Sequence, residues 1–241
     1  MTKDDIWDTN WLKNYAPDVH PEIISLVKRY SPGKKILEIG YGTGGDLTRL
    51  SKLGFDCWGL EKSRVSYDLS KKKNFVAVLG DGEQAPFPNK IFYLIFHQGV
   101  LEHFKNPSKF LSEHRRILKN GGIVVIDVPH KWNLFTIYKQ IYQLFGMWYG
   151  GWETSFSASE LSALLEKNGF EPLLVSYRGI FPHQWGKFLF PENIVENKNI
   201  KRLLAKRPAK YIQNFIRFVY EKSKFLQKIS AYNVIIVARK V

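Results

Sequence analysis

Glu38, Gly40, Gly42, Gly44 and, 21 residues past the first of these glycines, Glu61 have the types and spacing to hold a ligand. Alternating glycines let a backbone turn sharply and approach a ligand with no Cβ in the way. Here they follow the run Ile36-Leu37-Glu38-Ile39 and precede an amphipathic stretch, so the turn joins a strand to a helix. In a parallel α/β sheet such a turn lies at the carboxyl edge, where ligands bind. The pattern does not choose the ligand, because Gly40, Gly42 and Gly45 also satisfy the dinucleotide fingerprint G-x-G-x-x-G. Glu61, at the tip of the next strand, can accept hydrogen bonds from both hydroxyls of a ribose, and a dinucleotide would use it in the same way. Glu38 disfavours nicotinamide, whose strand is normally apolar at that position, and suits a cationic ligand.

The elements that must position these residues follow from periodicity. A helix is expected over 21–30, with Ile23, Ile24 and Val27 on one face, broken by Ser31-Pro32-Gly33. After the glycine turn come a helix over 46–53 stopped by Gly54, a strand over 55–60 ending on Glu61, and a helix over 63–72. A strand over 75–79 runs into Gly80-Asp81-Gly82, and Pro86 and Pro88 mark a loop. Residues 91–96 and 123–128 read as strands buried on both faces, separated by a helix over 107–118 and the turn Asn120-Gly121-Gly122. Strands alternating with helices imply βαβ units and a mostly parallel sheet. Past Pro129 the rhythm changes to an aromatic-rich segment, residues 132–156, carrying Trp132, Phe135, Tyr138, Tyr142, Phe145, Trp148 and Tyr149. A helix over 157–167 has Ser157 and Glu160 as a reciprocal capping pair, and strands are expected over 173–177 and 232–238.

Several of these pieces in order resemble the class I S-adenosylmethionine-dependent methyltransferases, of the small-molecule kind similar to the ubiquinone and menaquinone enzymes. They are Ile36-Leu37-Glu38-Ile39-Gly40-Tyr41-Gly42-Thr43-Gly44, Glu61, Gly80-Asp81, Gln98-Gly99-Val100-Leu101-Glu102-His103 and Leu118-Lys119-Asn120-Gly121-Gly122. The resemblance covers about residues 34–179 and the last strand. It implies a doubly wound, mostly parallel seven-stranded sheet with an antiparallel strand near the C-terminus, and 241 residues at 44% hydrophobic content suit a single domain over 1–241. It implies S-adenosylmethionine as cofactor, with Glu38, Gly40, Gly42, Gly44, Glu61, Asp81, Gly82 and Gln98 around it, and Asp81 as acceptor for the adenine amino group. Tyr93 departs from the pattern, which usually has an acidic residue early in the fourth strand, and Tyr41 is bulkier than the usual small residue and is expected to narrow the pocket.

Methyl transfer from a sulfonium is an in-line displacement, and the enzyme mainly aligns donor and acceptor and excludes water. A base is needed only for a weakly acidic hydroxyl or carbon acid. His130, after Pro129 at the tip of the fifth strand, and His97, near the tip of the fourth, are the candidates. Each has a structural alternative, as a loop-stabilising or core histidine. Glu102 and His103 read as structural, His114 as solvated on a basic helix face, and Cys57 as a small buried hydrophobe. No Asn/Asp-Pro-Pro-aromatic sequence follows the fourth strand, which argues against exocyclic amine methylation of the kind that uses that motif. The acceptor expected is an oxygen or carbon of a small, lipid-linked or glycan-related molecule.

Composition bounds the partners. Cys57 is the only cysteine, so neither an intrachain disulfide nor a cysteine-rich metal site is expected, and no metal is assigned. Residues 1–14 include Asp4, Asp5 and Asp8 and no apolar core of a secretory signal, so the expected location is cytoplasmic. The formal net charge is +14, and residues 180–241 hold 13 Lys/Arg against 3 Asp/Glu. Within the basic insertion 180–230, residues 198–229 place Ile212, Phe215, Ile216 and Val219 on one helical face among lysines and arginines. Such a helix can lie on an anionic membrane surface, or pack its stripe on the domain and leave its cations solvated. RNA methylation is the alternative that the charge favours, though no RNA-binding module is recognisable. Cofactor or membrane binding without catalysis is the other.

Overall fold

Seven strands form one sheet in the order β3-β2-β1-β4-β5-β7-β6. They are β1 (Lys35–Ile39), β2 (Asp56–Glu61), β3 (Val76–Leu79), β4 (Phe92–Gln98), β5 (Leu118–Pro129), β6 (Phe170–Arg178) and β7 (Asn233–Lys240). The computed structural model describes residues 19–144, 153–179, 222–223, 225 and 231–241. The basic insertion 180–230 lies outside the described residues except at 222, 223 and 225, and the aromatic segment 132–156 lies outside them at 145–152.

β1 pairs in parallel with β2 and with β4, β2 with β3, and β4 with β5. β7 runs antiparallel between β5 and β6, as the resemblance implies. The order reverses between β1 and β4, and in open α/β sheets ligands bind outside the carboxyl ends at such a reversal. The glycine turn lies there.

The helices are α1 (Pro21–Tyr30), α2 (Gly45–Ser51), α3 (Arg64–Ser70), α4 (Pro107–Ile117), α5 (Leu134–Leu144) and α6 (Ala158–Lys167). Two of them start at a side-chain cap. Ser63 caps α3 by accepting from Ser66 N, and Ser157 and Glu160 close a full capping box on α6. Helices on both faces bury both faces of the central strands, which explains why β4 and β5 lack polar alternation. Leu37, Ile95, Phe110, Leu111, Val124, Ile126 and Leu161 pack on one face; Ile23, Val27, Ile36, Leu47, Leu50, Leu94, Phe96 and Val125 pack on the other. Each such side chain contributes about 1.5–3 kcal/mol by leaving water.

Three sequence readings need correction or refinement. His114 is fully buried, not solvated: Nδ1 lies 2.7 Å from the Phe110 carbonyl, and burial pushes the imidazole down to about 4. A pattern of flanking arginines hid an inward-facing position. Tyr41 does not line an open pocket. Its ring fills the space where a Cβ on Gly59 would sit and meets Phe75 edge-on at 5.2 Å, and its hydroxyl pairs with Ser70 at 2.7 Å. β5 begins at Leu118 rather than after the glycines, and the register shift opposite Phe92 and Leu94 absorbs Asn120-Gly121-Gly122 within the strand. Tyr93 lies over Gly33, at the amino edge of the sheet and away from the glycine turn.

Candidate cofactor and acceptor site

The glycine turn owes its shape to positive φ. Gly40, Gly42 and Gly44 have φ of 69°, 50° and 65°, a region that side chains with a Cβ rarely adopt. Close packing adds to this at two of them. A Cβ on Gly40 would meet Val100 Cγ2 at 2.6 Å, and one on Gly44 would meet Phe75 at 2.6 Å.

Glu61 binds the turn from the neighbouring strand. Its Oε2 accepts from Gly42 N at 3.0 Å, and its Oε1 accepts from Lys62 N at 2.8 Å and Ser63 N at 2.9 Å. Ser66 Oγ donates to the Gly42 carbonyl, so α3 also holds the loop. Glu61 is 8% exposed, at the carboxyl tip of β2 where the spacing placed it.

Glu38 is buried beneath the turn, and burial, with Asp46 and Glu61 nearby, pushes its carboxyl well above the usual range. Its Oε2 has no hydrogen-bond partner, and neither has Gln98 Oε1 at the tip of β4. Unsatisfied buried acceptors are costly unless a donor meets them. An ammonium group supplies such donors. These residues therefore fit the methionine end of S-adenosylmethionine.

Asp81 lies half-exposed past the tip of β3, where its Oδ1 accepts from Glu83 N at 2.9 Å and its Oδ2 lies 3.3 Å from Lys62 Nζ. Gly82 is buried for a packing reason: a Cβ there would meet Phe110 at 2.5 Å and Ile39 at 3.2 Å. Arg116 holds the loop that follows, donating to the carbonyls of Ala85 and Phe87 at 2.9 and 2.7 Å.

The structure thus brings Glu38, Gly40, Gly42, Gly44, Glu61 and Gln98 to one stretch of sheet edge, with Asp81 at its flank. It separates the two histidines. His97 lies within the face covered by α4, its ring 5.3 Å from both Phe110 and His114, with both nitrogens buried and unpartnered. Burial and His114 hold it well below the usual imidazole range, so it is neutral. His130 lies three residues beyond Asp127, which pairs with Gln98 across the sheet. Its ring meets Tyr177 edge-on at 5.3 Å, and its Nδ1 is buried without a hydrogen-bond partner.

Sequence reasoning missed a polar layer around this edge. Asp46, 2% exposed, accepts from His20 and from Gln98. Asp127 accepts from Asn233 at 2.6 Å and pairs with Arg178, and burial raises its carboxyl to about 6. Lys139 of α5 is 1% exposed and lies 3.0 Å from Glu153. Glu102 is buried, with Oε2 unpartnered and its carboxyl raised to about 8 by desolvation. One signal was available: Asp127 is a lone charge inside an apolar strand. Lys139 had none, because its neighbours come from distant elements. Among the described residues, no group of three His, Cys, Asp or Glu could hold a metal ion, and no helix is long and apolar enough to cross a membrane.

Residues 15–175 match the family model described as a methyltransferase domain. The chain is 31% identical over 116 residues to the sarcosine/dimethylglycine N-methyltransferase of Aphanothece halophytica, covering 44% of this chain and 42% of that one. It is 28% identical over 119 residues to the demethylmenaquinone methyltransferase of Corynebacterium kroppenstedtii, covering 49% and 48%. Among solved structures, phosphoethanolamine N-methyltransferase 2 of Haemonchus contortus, in complex with S-adenosylmethionine, superimposes with a TM-score of 0.60 at 19% identity. That match covers 99% of this chain and 57% of the other. The chain spans about half the length of the curated relatives it matches. A sheet reversing beside a glycine turn, and a family match over most of its length, place this chain in the class I S-adenosylmethionine-dependent methyltransferase family.

Proposed function

We propose that this chain transfers a methyl group from S-adenosylmethionine to an oxygen or acidic carbon of a small molecule, with His130 as the general base. The observation that carries the acceptor assignment is the state of His130. Its Nδ1 is buried without a hydrogen-bond partner, and a neutral imidazole keeps one ring nitrogen able to accept a proton. Burial lowers its pKa, so the imidazole is neutral at neutral pH and can take a proton.

The cofactor, when bound, supplies a methyl group already activated on sulfonium sulfur. In this reading Glu38 and Gln98 accept from its ammonium, Glu61 meets the ribose, and Asp81 meets the adenine amino group. The glycine turn lets the backbone approach. The remaining work is alignment and exclusion of water. The relatives' names specify different acceptors, an amine in one and a quinone precursor in another, so similarity does not choose among them.

The test is a labelled-methyl assay on small hydroxylic, carbon-acid and amine acceptors, using wild type and His130→Gln. Label in a hydroxylic or carbon-acid product, lost about 10²–10⁴-fold in the variant with S-adenosylhomocysteine affinity unchanged, is the expected result. Label confined to amines, or full activity in His130→Gln, would overturn the assignment.

A further inference from the structure

His20 belongs to neither the glycine turn nor the strand tips, yet it reaches the same polar layer through Asp46. Its backbone N donates to Asp46 Oδ1 at 2.7 Å, and its Nδ1 lies 2.8 Å from Asp46 Oδ2. The same Oδ2 accepts from Gln98 Nε2 at 2.7 Å. A carboxylate only accepts, so Nδ1 carries the hydrogen. The same logic orients the Gln98 carboxamide, because turning it over would set its oxygen 2.7 Å from a carboxylate oxygen. Its amide nitrogen must therefore face Asp46, and its Oε1, buried and without a partner, must point the other way. Glu38 Oε2 is likewise buried and unpartnered, and the Gln98 side chain is near enough to Glu38 to oppose the upward push of burial on its carboxyl.

We propose that His20 is a positioning residue for the cofactor: through Asp46 it locks the Gln98 carboxamide so that its Oε1 is held as an acceptor for the ammonium group of S-adenosylmethionine. The inference rests on the assignment of Glu38 and Gln98 to that ammonium. Asp46 without the imidazole keeps the His20 backbone donor but loses the one sharing its Oδ2, the oxygen that holds the Gln98 amide. Sites hold their geometry when supporting hydrogen bonds fix each contacting group. His20 directly precedes α1, so the contact also ties the start of that helix to the ligand edge.

Two ligands that differ by the amino-acid end separate positioning from general damage. S-adenosylhomocysteine carries the ammonium; 5′-methylthioadenosine lacks it and keeps the nucleoside. Calorimetric affinities for both are measured on wild type, His20→Ala, His20→Asn, Gln98→Ala and Glu38→Gln, each checked for folding by its melting curve. In His20→Ala and Gln98→Ala, S-adenosylhomocysteine binding weakens about three- to tenfold, the range of one hydrogen bond, while 5′-methylthioadenosine binding holds. His20→Asn, whose amide can place a donor where Nδ1 stood, recovers most of the loss. Equal weakening of both ligands by His20→Ala makes the residue merely structural and overturns the proposal. So does unchanged S-adenosylhomocysteine binding in His20→Ala when Gln98→Ala and Glu38→Gln are impaired. If those two variants also bind normally, the ammonium assignment itself falls, and the role of His20 falls with it.

Discussion

Gly42 N donates to Glu61 Oε2 at 3.0 Å, so the carboxylate expected to meet a ribose also holds the glycine turn in place. With Lys62 N and Ser63 N on Oε1, three backbone donors converge on this one side chain. Glu61→Ala strands those donors and should cost about 2–4 kcal/mol of stability, as buried hydrogen bonds to charged groups do. Urea unfolding measures it. A weakened nucleoside affinity in this variant then reports turn geometry as well as ribose contact, and a variant of wild-type stability would show that the network contributes little.

Gly40→Ala should destabilise the turn for two separable reasons, its φ of 69° and the Cβ that would meet Val100 Cγ2 at 2.6 Å. The expected cost is about 1–3 kcal/mol. Adding Val100→Ala removes the clash but leaves the backbone strain, so the double variant should recover cofactor affinity only in part. Full recovery would mean that sterics alone select glycine here.

Glu102 makes stability depend on pH. Its carboxyl is raised from 4.5 to about 8 in the folded chain, so between these values the native state holds a proton that the unfolded state has released. Stability contributed by this group therefore falls as pH rises from about 4.5 to 8. Glu102→Gln, which mimics the protonated form, should melt at a higher temperature than wild type above pH 8 and at a similar one near pH 5. Calorimetry across that range checks the crossover, and parallel curves would mean that Glu102 is ionised throughout.

Lys139 should not tolerate simple truncation. It is 1% exposed and lies 3.0 Å from Glu153, so Lys139→Ala leaves a largely enclosed carboxylate, 12% exposed, without this cation, a loss of about 3–5 kcal/mol. Lys139→Met together with Glu153→Gln removes both charges and should recover much of that loss in denaturant titrations. If the double variant is no better than the single, the pair was not the source of the cost.

Much of this molecule was legible in its sequence because the signals are local. Positive φ strongly favours glycine whatever surrounds it, so Gly40, Gly42 and Gly44 announced a turn. Apolar runs announced β4 and β5, and Ser157 with Glu160 announced the start of α6 through a capping box that the structure contains. The 21-residue step from Gly40 to Glu61 placed a carboxylate at the next strand tip because one helix and one strand fill that interval. The order of motifs carried the family.

Tertiary structure alone decided which polar side chains are enclosed and whom they meet. His114 reads as solvated in sequence and Glu102 as structural, and Lys139 carries no sequence signal; all three are buried. His97 and Gln98 are adjacent, but strand alternation sends the first under α4 and the second to Asp46. His20 and Asp46 are 26 residues apart, Gln98 and Asp46 52, and Asn233 and Asp127 106. Periodicity tells a residue which face of its own element it occupies. It says nothing about the element across the gap, and burial, hydrogen bonding and proton affinity are set there.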